Sequence, residues 1–252
     1  MKPEECAWET DVLAFGAHAD DLELACGGTL AKLVRRGYRV VMVALTAGEL
    51  GTRGTIEERA QEFAAAAGIL GVAAHEILAL PDGGLAPTPE QKIVVVEVIR
   101  RYRPGFVLAP YWKDRHPDHA NAGKLVTEAA FLAGLRRFRP EGPAWRPLRV
   151  LYYPCRYEFR PSFVVDVSET HELKLEAIRA YRSQFSEPGR HSAEPPTNIS
   201  HPGFLEAVVT RGRQYGSYIG VEYGEPFLVR EPMAVDDPVA LLSRASYRLA
   251  FL

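Results

Sequence analysis

The stretch that decides the fold is residues 11–33, which reads DVLAFGAHADDLELACGGTLAKL. Its short apolar run, Val12 to Phe15, is typical of a buried strand, and the leucines that follow recur at helical spacing. Between the two lie one imidazole and two carboxylates, those of His18, Asp20 and Asp21. In an open parallel sheet, ligands bind at the carboxyl ends of the strands. We therefore expect a divalent metal ion at this turn, because it would offset the mutual repulsion and desolvation of these groups.

The composition of the chain excludes several classes of protein. The 252 residues are 47% hydrophobic and 25% charged, as in ordinary globular proteins. A formal net charge of -2 is not the strongly basic balance that a nucleic-acid partner requires. No apolar run approaches the roughly 20 residues that span a bilayer, and residues 1–6 lack the apolar core of a signal peptide. We expect a cytoplasmic protein with neither a nucleic-acid nor a membrane partner.

Three further strand-and-helix units follow the first one. Apolar runs at residues 40–46, 77–80 and 106–110 predict buried strands, and the segments between them carry helical periodicity. Strands that alternate with helices are typical of a parallel sheet with crossover connections. We therefore predict an α/β fold, namely a Rossmann-like, doubly wound, mainly parallel sheet flanked by helices.

The second half of the chain is less regular, but nothing in it marks a domain boundary. Its apolar patterns predict two strands, two helices and a final extended segment within residues 149–229. Neither an internal repeat nor a linker separates this half from the first. We expect a single domain over residues 1–252, with a core at about 11–229 and a C-terminal extension at about 230–252.

Two groups of glycines lie close to the expected site. Residues 46–55 form a glycine-rich loop after the second predicted strand, and its position makes it a candidate ligand loop. Thr55 and Glu58 then match a capping box, which predicts the start of a helix.

Gly27 and Gly28 cost about 1 kcal/mol each inside a helix. We therefore expect them to permit close packing against the sheet or close approach of a ligand.

A second ionisable cluster follows the fourth predicted strand and precedes another helix. It reads YWKDRHPDH, at residues 111–119. Imidazole nitrogens and carboxylate oxygens bind zinc, and catalytic zinc sites use three protein ligands and keep one position open. His18, Asp21 and one of His116 and His119 would supply those ligands. Spacing alone does not choose between the two histidines.

These motifs resemble a known family. AHADDLELACGGTLAKL at residues 17–33 and RHPDHANAGKLV at 115–126 are similar to the motifs of the LmbE/PIG-L-like zinc-dependent N-acetylglucosaminyl deacetylases. YRSQF at 181–185 and GVEYGEPF at 220–227 resemble the bacillithiol-pathway branch, whose members deacetylate N-acetylglucosaminyl L-malate. The resemblance covers about residues 11–229. It implies an LmbE-like fold and a hydrolase that releases acetate and leaves a free amine.

The resemblance also implies a ligand set and a base. His18, Asp21 and His119 would bind one Zn2+ per chain, and such ligands also hold other divalent metals. Asp20 would be the general base that removes a proton from the attacking water. This division of roles gives the two neighbouring aspartates different tasks.

The remaining roles that the resemblance implies concern the transition state and the substrate. His116 would stabilise the tetrahedral oxyanion, while Asp118 would orient His116 and hold it protonated. Arg59 and Arg115 are the candidate substrate-binding residues, since the planar guanidinium suits the carboxylates of a malyl group. Relatives in the branch form homo-oligomers, so we expect a homo-oligomer such as a hexamer and a small-molecule N-acetylglucosaminyl substrate.

Three other functions compete with this interpretation. A deacetylase of another amidosugar, of the chitobiose or mycothiol type, would share the motifs, and the loops at residues 47–56 and 186–203 would decide between them. A nucleotide-binding oxidoreductase would share the fold, but the first turn lacks GxGxxG and places two aspartates where a pyrophosphate binds. A non-catalytic sugar- or metal-binding module would not need Asp20 and His116 beside the ligands.

Overall fold

The computed structural model describes residues 8–138, 142–185 and 195–239. Its strands are β1 (Thr10–Gly16), β2 (Val40–Thr46), β3 (Ala74–Leu80), β4 (Pro104–Pro110), β5 (Arg149–Tyr153), β6 (Phe163–Asp166) and β7 (Gly224–Val229). Its helices are α1 (Asp21–Arg35), α2 (Ile56–Leu70), α3 (Pro89–Tyr102), α4 (Pro117–Ala133), α5 (His171–Arg179) and α6 (Phe204–Ser217). Part of the loop predicted at 186–203 and most of the extension predicted at 230–252 lie outside the described residues.

The strands form one sheet in the order β3-β2-β1-β4-β5-β7-β6. Neighbours from β3 to β5 pair in parallel, whereas β7 runs antiparallel to both β5 and β6. The predicted α/β fold with a mainly parallel sheet flanked by helices is therefore confirmed. Because β1 lies beside β4, the turns after these two strands emerge next to each other at one edge of the sheet.

The two faces of the sheet have separate cores. Along β1, Val12 and Ala14 face a cluster that includes residues of α1, α2 and α5. Leu13 and Phe15 face the opposite cluster, which includes residues of α3 and α4. A strand covered on both faces buries every side chain, which explains why β1 is a continuous apolar run without alternation.

Most of the predicted strands and helices are present. Short-range interactions explain where two of the helices begin. The capping box is confirmed, because Thr55 Oγ1 accepts from the backbone N–H of Glu58 at 3.1 Å and the Glu58 carboxylate accepts from the backbone N–H of Thr55 at 2.8 Å. The helix expected after the second ionisable cluster already begins inside it, at Pro117, since proline fits the first helical position. None of the helices between residues 8 and 239 that the structure describes combines the length and hydropathy needed to cross a bilayer.

Helix α1 is broken in the middle, and a distant carboxylate stabilises the break. Cys26 leaves helical geometry at φ -140 and ψ 16. A break in a helix frees backbone N–H groups that need other partners. Glu225, at the start of β7, accepts hydrogen bonds from the N–H groups of Gly28 at 3.0 Å and Thr29 at 2.6 Å. The carboxylate thus acts as a cap inside the helix.

The glycines of α1 permit this close approach. A Cβ atom on Gly28 would lie 2.9 Å from Val167 Cβ and 3.1 Å from a Glu225 oxygen, and one on Gly27 would lie 3.3 Å from Lys174 Cγ. The expected packing against the sheet is confirmed for Gly28, which meets Glu225 of β7, whereas Gly27 packs against α5. Lys174, on α5, donates to the same Glu225 carboxylate at 2.7 Å, and both charged side chains are buried.

Substituting Glu225→Gln tests this buried network. The amide would leave the Lys174 ammonium buried without a counter-charge, so we expect the free energy of unfolding to fall by about 3 kcal/mol. Urea unfolding followed by circular dichroism measures the change. The double variant Lys174→Met/Glu225→Gln should be more stable than Glu225→Gln alone, and a single-variant loss under about 1 kcal/mol would contradict the network.

A second buried group makes stability depend on pH. His171, the first residue of α5, is 4% exposed, and its ring stacks on Tyr223 with a centroid distance of 3.7 Å. Its Nε2 is buried and has no hydrogen-bond partner among the described residues. Burial, together with the nearby Lys174 ammonium, lowers the pKa of His171 to about 4.

We expect this histidine to destabilise the fold in acid. The unfolded chain, with an ordinary pKa of about 6.5, binds the proton more tightly than the folded chain does. Its contribution to the free energy of unfolding is therefore complete above about pH 6.5 and falls by about 2 kcal/mol towards pH 4. Urea unfolding of wild type and His171→Phe at pH 7.5 and 4.5 measures the difference. An identical pH dependence of the two proteins would contradict the expectation.

Candidate metal centre and active site

The turn between β1 and α1 presents two carboxylates side by side. Asp20, which precedes α1, has the left-handed backbone angles φ 110 and ψ -26, an uncommon conformation for a residue with a side chain. The backbone N–H of His18 donates to Asp21 Oδ2 at 2.9 Å. A Cβ atom on Gly16 would lie 3.0 Å from the His18 carbonyl oxygen, so the tight turn leaves little room for a side chain there.

His18, Asp21 and His119 converge at the adjoining ends of β1 and β4. His18 Nδ1 lies 3.5 Å from Asp21 Oδ2, and His119 Nε2 lies 3.1 Å from Asp21 Oδ1. One donor atom from each residue falls within 4.8 Å of the others. Tetrahedral zinc with ligands at about 2.0 Å separates its donors by about 3.3 Å. The donor set and its spacing therefore fit such an ion.

The other ring nitrogen of each histidine faces a carboxylate. His18 Nε2 lies 3.0 Å from Asp82 Oδ1, and His119 Nδ1 lies 3.1 Å from Asp114 Oδ1. Histidines that bind metals characteristically hold their second nitrogen in this way, which fixes the tautomer and the ring orientation. Both carboxylates thus aim an imidazole nitrogen at Asp21.

A second trio, His18, His116 and Asp118, also brings donor atoms within 4.8 Å of one another. It fits a metal less well, because Asp118 approaches His18 at Nε2, which already faces Asp82. The Asp118 carboxylate is occupied as well, since it accepts from the backbone N–H groups of Gly83 at 2.6 Å and Leu85 at 3.1 Å. The first trio is the better candidate.

The predicted ligands and the predicted base shift one another's pKa values. Burial alone would raise the pKa of Asp21, but the His119 imidazole beside it and hydrogen bonds from both histidines hold that pKa well below its usual range. Burial and the neighbouring Asp21 carboxylate raise the pKa of Asp20 to about 7. The two adjacent aspartates thus differ in their affinity for a proton.

The structure changes the expected relation between His116 and Asp118. We expected the Asp118 carboxylate to orient His116 and hold it protonated. Instead, the backbone N–H of Asp118 donates to His116 Nδ1 at 3.2 Å, and the Asp118 carboxylate lies 3.5 Å from His18 Nε2. Burial and the two neighbouring histidines lower the pKa of His116. A nitrogen that accepts a hydrogen bond carries no proton, so His116 is a neutral imidazole with its hydrogen on Nε2.

Arg59 lies in the wall of the site, but its guanidinium already donates hydrogen bonds to backbone carbonyl groups. The side chain is 5% exposed. Nη1 donates to the Gly48 carbonyl at 3.1 Å, and Nη2 donates to the Ala19 carbonyl at 3.2 Å. A Cβ atom on Gly48 would lie 2.1 Å from Nη1, so the glycine-rich loop wraps around this side chain. These contacts favour a positioning role for Arg59 over the predicted substrate contact.

The predicted metal ligands and Asp20 line one cavity of about 410 Å³, within the size range of small-molecule sites. Its wall brings together every predicted site residue except Asp118, which bonds to residues at its edge. Arg115 lines the cavity and is exposed. Further along the chain, Cys155, Arg156, Gln184, Asn198, Phe204 and Arg211 contribute to the wall.

Sequence reasoning missed several of these residues for different reasons. Asp82 follows β3 and Asp114 follows β4, so the rule that parallel strands place ligands at their carboxyl ends could have found both. Arg156 and Arg211 carry no local signal, because only the fold brings the segment after β5 and helix α6 to the cavity.

Comparison with known proteins agrees with the fold and the site. The GlcNAc-PI de-N-acetylase (PIG-L) family matches residues 13–130. Diacetylchitobiose deacetylase of Thermococcus kodakarensis is 37% identical over 85% of this chain and 80% of its own length. A 1D-myo-inositol 2-acetamido-2-deoxy-alpha-D-glucopyranoside deacetylase of a Mycobacterium species is 30% identical over 76% of this chain and 80% of its own. The conserved protein TT1542 of Thermus thermophilus superimposes with a TM-score of 0.82 at 41% identity, covering 91% of this chain and 98% of that one.

The fold and the site therefore define a hydrolase of the α/β class with a candidate His/Asp metal site. The chain belongs to the PIG-L family and is a deacetylase that acts on N-acetyl amides. The family predicted from the sequence motifs is confirmed. None of the relatives named above carries a name from the bacillithiol pathway, so the assignment to that branch stays a prediction.

Arg59→Lys tests the positioning role. Lysine cannot donate to both carbonyls at once, so the Ala19–Asp20 peptide and the loop at Gly48 should lose their common anchor. We expect kcat to fall roughly 10- to 100-fold with little change in KM, because small displacements of reacting groups are costly. Steady-state kinetics measures both constants, with the exposed Arg101→Lys as the control. A rise in KM alone would instead indicate the substrate contact first predicted.

Proposed function

We propose that the protein removes the acetyl group from an N-acetylglucosaminyl conjugate by metal-dependent hydrolysis. The observation that carries the proposal is the convergence of His18, Asp21 and His119 beside Asp20 in one cavity. The deacetylases of Thermococcus and Mycobacterium named above support the class of substrate, since both act on amidosugars by name.

We propose Zn2+, one ion per chain, as the metal, held by His18, Asp21 and His119. When bound, zinc would supply Lewis-acid chemistry, polarising the acetamide carbonyl and making water more acidic. The donor set supports this choice, because two imidazole nitrogens and one carboxylate suit zinc. Iron and other divalent metals accept the same ligands, and metal analysis of the purified protein distinguishes them.

Asp20 is the general base in this proposal. It lines the cavity next to Asp21, and as the residue before α1 it forms no side-chain capping bond to the helix. Its carboxylate is therefore free to accept the proton of the attacking water. The Ala19 carbonyl, held by Arg59, fixes the peptide that carries Asp20 in its left-handed conformation. A base held in this way needs little reorganisation at the moment of proton transfer.

His116 stabilises the oxyanion as a neutral hydrogen-bond donor. Because its Nδ1 accepts from the Asp118 backbone, its Nε2 carries the hydrogen that can bond to the developing negative oxygen. Donors already in place for that charge favour the transition state over the neutral amide. Asp118 positions this arrangement through its backbone, while its carboxylate holds the backbone at Gly83 and Leu85.

The finer substrate that we propose is N-acetylglucosaminyl L-malate, the substrate of the bacillithiol-pathway branch. The motif resemblance supports it, and so does Arg115 at the cavity, since a malyl group carries two carboxylates. Chitobiose-type and mycothiol-type substrates are the alternatives that the relatives support. By the same resemblance we propose a homo-oligomer, such as a hexamer, and the sequence features described above support a cytoplasmic location. Light scattering after gel filtration measures its mass.

The matched variants Asp20→Asn and Asp21→Asn test the division of roles. We expect Asp20→Asn to lower kcat roughly 100- to 10,000-fold while zinc stays bound, because only the base is lost. Asp21→Asn should lose zinc as well as turnover, because it removes a ligand. Amine release from the malate conjugate, diacetylchitobiose and N-acetylglucosamine measures turnover, and metal analysis measures zinc.

Two outcomes would contradict the proposal. Loss of zinc from Asp20→Asn would show that the ligands and the base are wrongly divided. Failure of the zinc-loaded wild type to release amine from any of the three substrates would favour a non-catalytic binding module.

A further inference from the structure

The exposed part of the glycine-rich loop is held at a single residue outside the loop. We call residues 49–52 the loop tip; all four are exposed, and three of them line the cavity. The chain just before the tip is anchored, because Arg59 holds the Gly48 carbonyl. Within the part of the chain that the structure describes, every hydrogen bond between the tip and residues outside the loop involves Asp82.

The contact between the loop tip and Asp82 is reciprocal. The backbone N–H of Leu50 donates to Asp82 Oδ2 at 3.0 Å, and the backbone N–H of Asp82 donates to Glu49 Oε1 at 2.7 Å. The Leu50 side chain lies over the same turn, since a Cβ atom on Gly83 would lie 2.8 Å from Leu50 Cδ1. The tip and the turn after β3 therefore hold each other in place.

The same carboxylate also supports a predicted metal ligand. Asp82 Oδ1 lies 3.0 Å from His18 Nε2, while Oδ2 accepts from the loop tip. Both oxygens belong to one planar group, so a rotation of the carboxylate changes its contact with the tip and its contact with the imidazole together. Asp82 thus joins an exposed loop to the orientation of His18.

The other histidine ligand has a more rigid support. Asp114, whose Oδ1 faces His119 Nδ1, accepts hydrogen bonds from three backbone N–H groups, those of His116 at 2.9 Å, Arg156 at 2.7 Å and Tyr157 at 3.1 Å. The Asp114 side chain is 1% exposed and that of Asp82 is 8% exposed. Among the described residues, the Asp82 carboxylate accepts from one backbone N–H group, which belongs to the tip. The two ends of the metal site are therefore held unequally.

We infer that the loop tip controls how firmly the metal ion is retained, with Glu49 and Asp82 as positioning residues for His18. This inference rests on the metal of the proposed function. A carboxylate that orients a ligating histidine is worth roughly 10- to 100-fold in metal affinity. Movement of the tip away from Asp82 withdraws part of that support from His18. The His18 end, and not the His119 end, is then where metal loss begins.

The test measures the rate at which the zinc-loaded protein releases its ion to an excess of a chromogenic chelator. Glu49→Ala removes the acceptor of the Asp82 N–H bond, and we expect zinc release roughly 10-fold faster than in wild type. Glu49→Gln should restore slow release, because its amide oxygen can accept the same bond. Glu57→Ala is the matched control, since Glu57 is also exposed and lies outside the cavity wall.

Double variants establish the route of the effect. If Glu49 acts through Asp82, Glu49→Ala should not accelerate zinc release further in an Asp82→Ala background, because the connection to His18 is already lost. In an Asp114→Asn background the two effects should multiply, since that carboxylate supports the other histidine. Glu49 is exposed, so its single variants keep the test valid if a background variant folds poorly.

The outcomes separate this inference from the function on which it rests. Zinc release from Glu49→Ala at the wild-type rate, with or without a change in KM, would overturn the inference and leave the deacetylase in place. Fast release that Glu49→Gln does not restore, or that persists as a further acceleration in Asp82→Ala, would also overturn it. A wild-type protein that binds no zinc would overturn the proposed metal, and this inference with it. Faster release that depends on Asp82 and spares the control supports the inference.

Discussion

The parallel pairing of β1 with β4 is the constraint on which the site depends. These strands are distant in sequence, yet Ala14 pairs with Leu108, so the turns that follow them open side by side. Each turn leads into a helix, one beginning at Asp21 and the other at Pro117. A slip of one residue in this pairing would reverse which side chains face each core. The packing of both sheet faces therefore also fixes the separation of the metal ligands.

The sequence predicted the parts of the site that are local, and the fold supplies the rest. His18, Asp20 and Asp21 belong to one turn, and a capping box and an apolar run are written in adjacent residues. The prediction that the Asp118 carboxylate orients His116 was wrong in part, because that carboxylate accepts hydrogen bonds from the backbone N–H groups of residues 83 and 85. Such contacts depend on how loops fold over the edge of a sheet, and no periodicity encodes that.

Arg59 illustrates the same limit for a residue that the sequence only placed near the ligand. Its position after a glycine-rich loop indicated a role near the ligand, and the structure places it in the cavity wall. Its hydrogen bonds to the Gly48 and Ala19 carbonyls show why the loop needs glycine, since any side chain on Gly48 would occupy the space of the guanidinium. The loop and the arginine are therefore one structural unit that supports the turn of Asp20.

The Glu225 cap has a consequence for how the chain acquires its structure during synthesis. The family match ends at residue 130, but the break in α1 receives its hydrogen bonds from a residue 197 positions further along the chain than Gly28. The helix that begins with Asp21 therefore completes its bonding only when β7 has left the ribosome and docked. Closing so long a loop costs little more entropy than closing one of half the length. The site therefore reaches its final geometry late because β7 is synthesised late, and the entropy of loop closure contributes less to the delay.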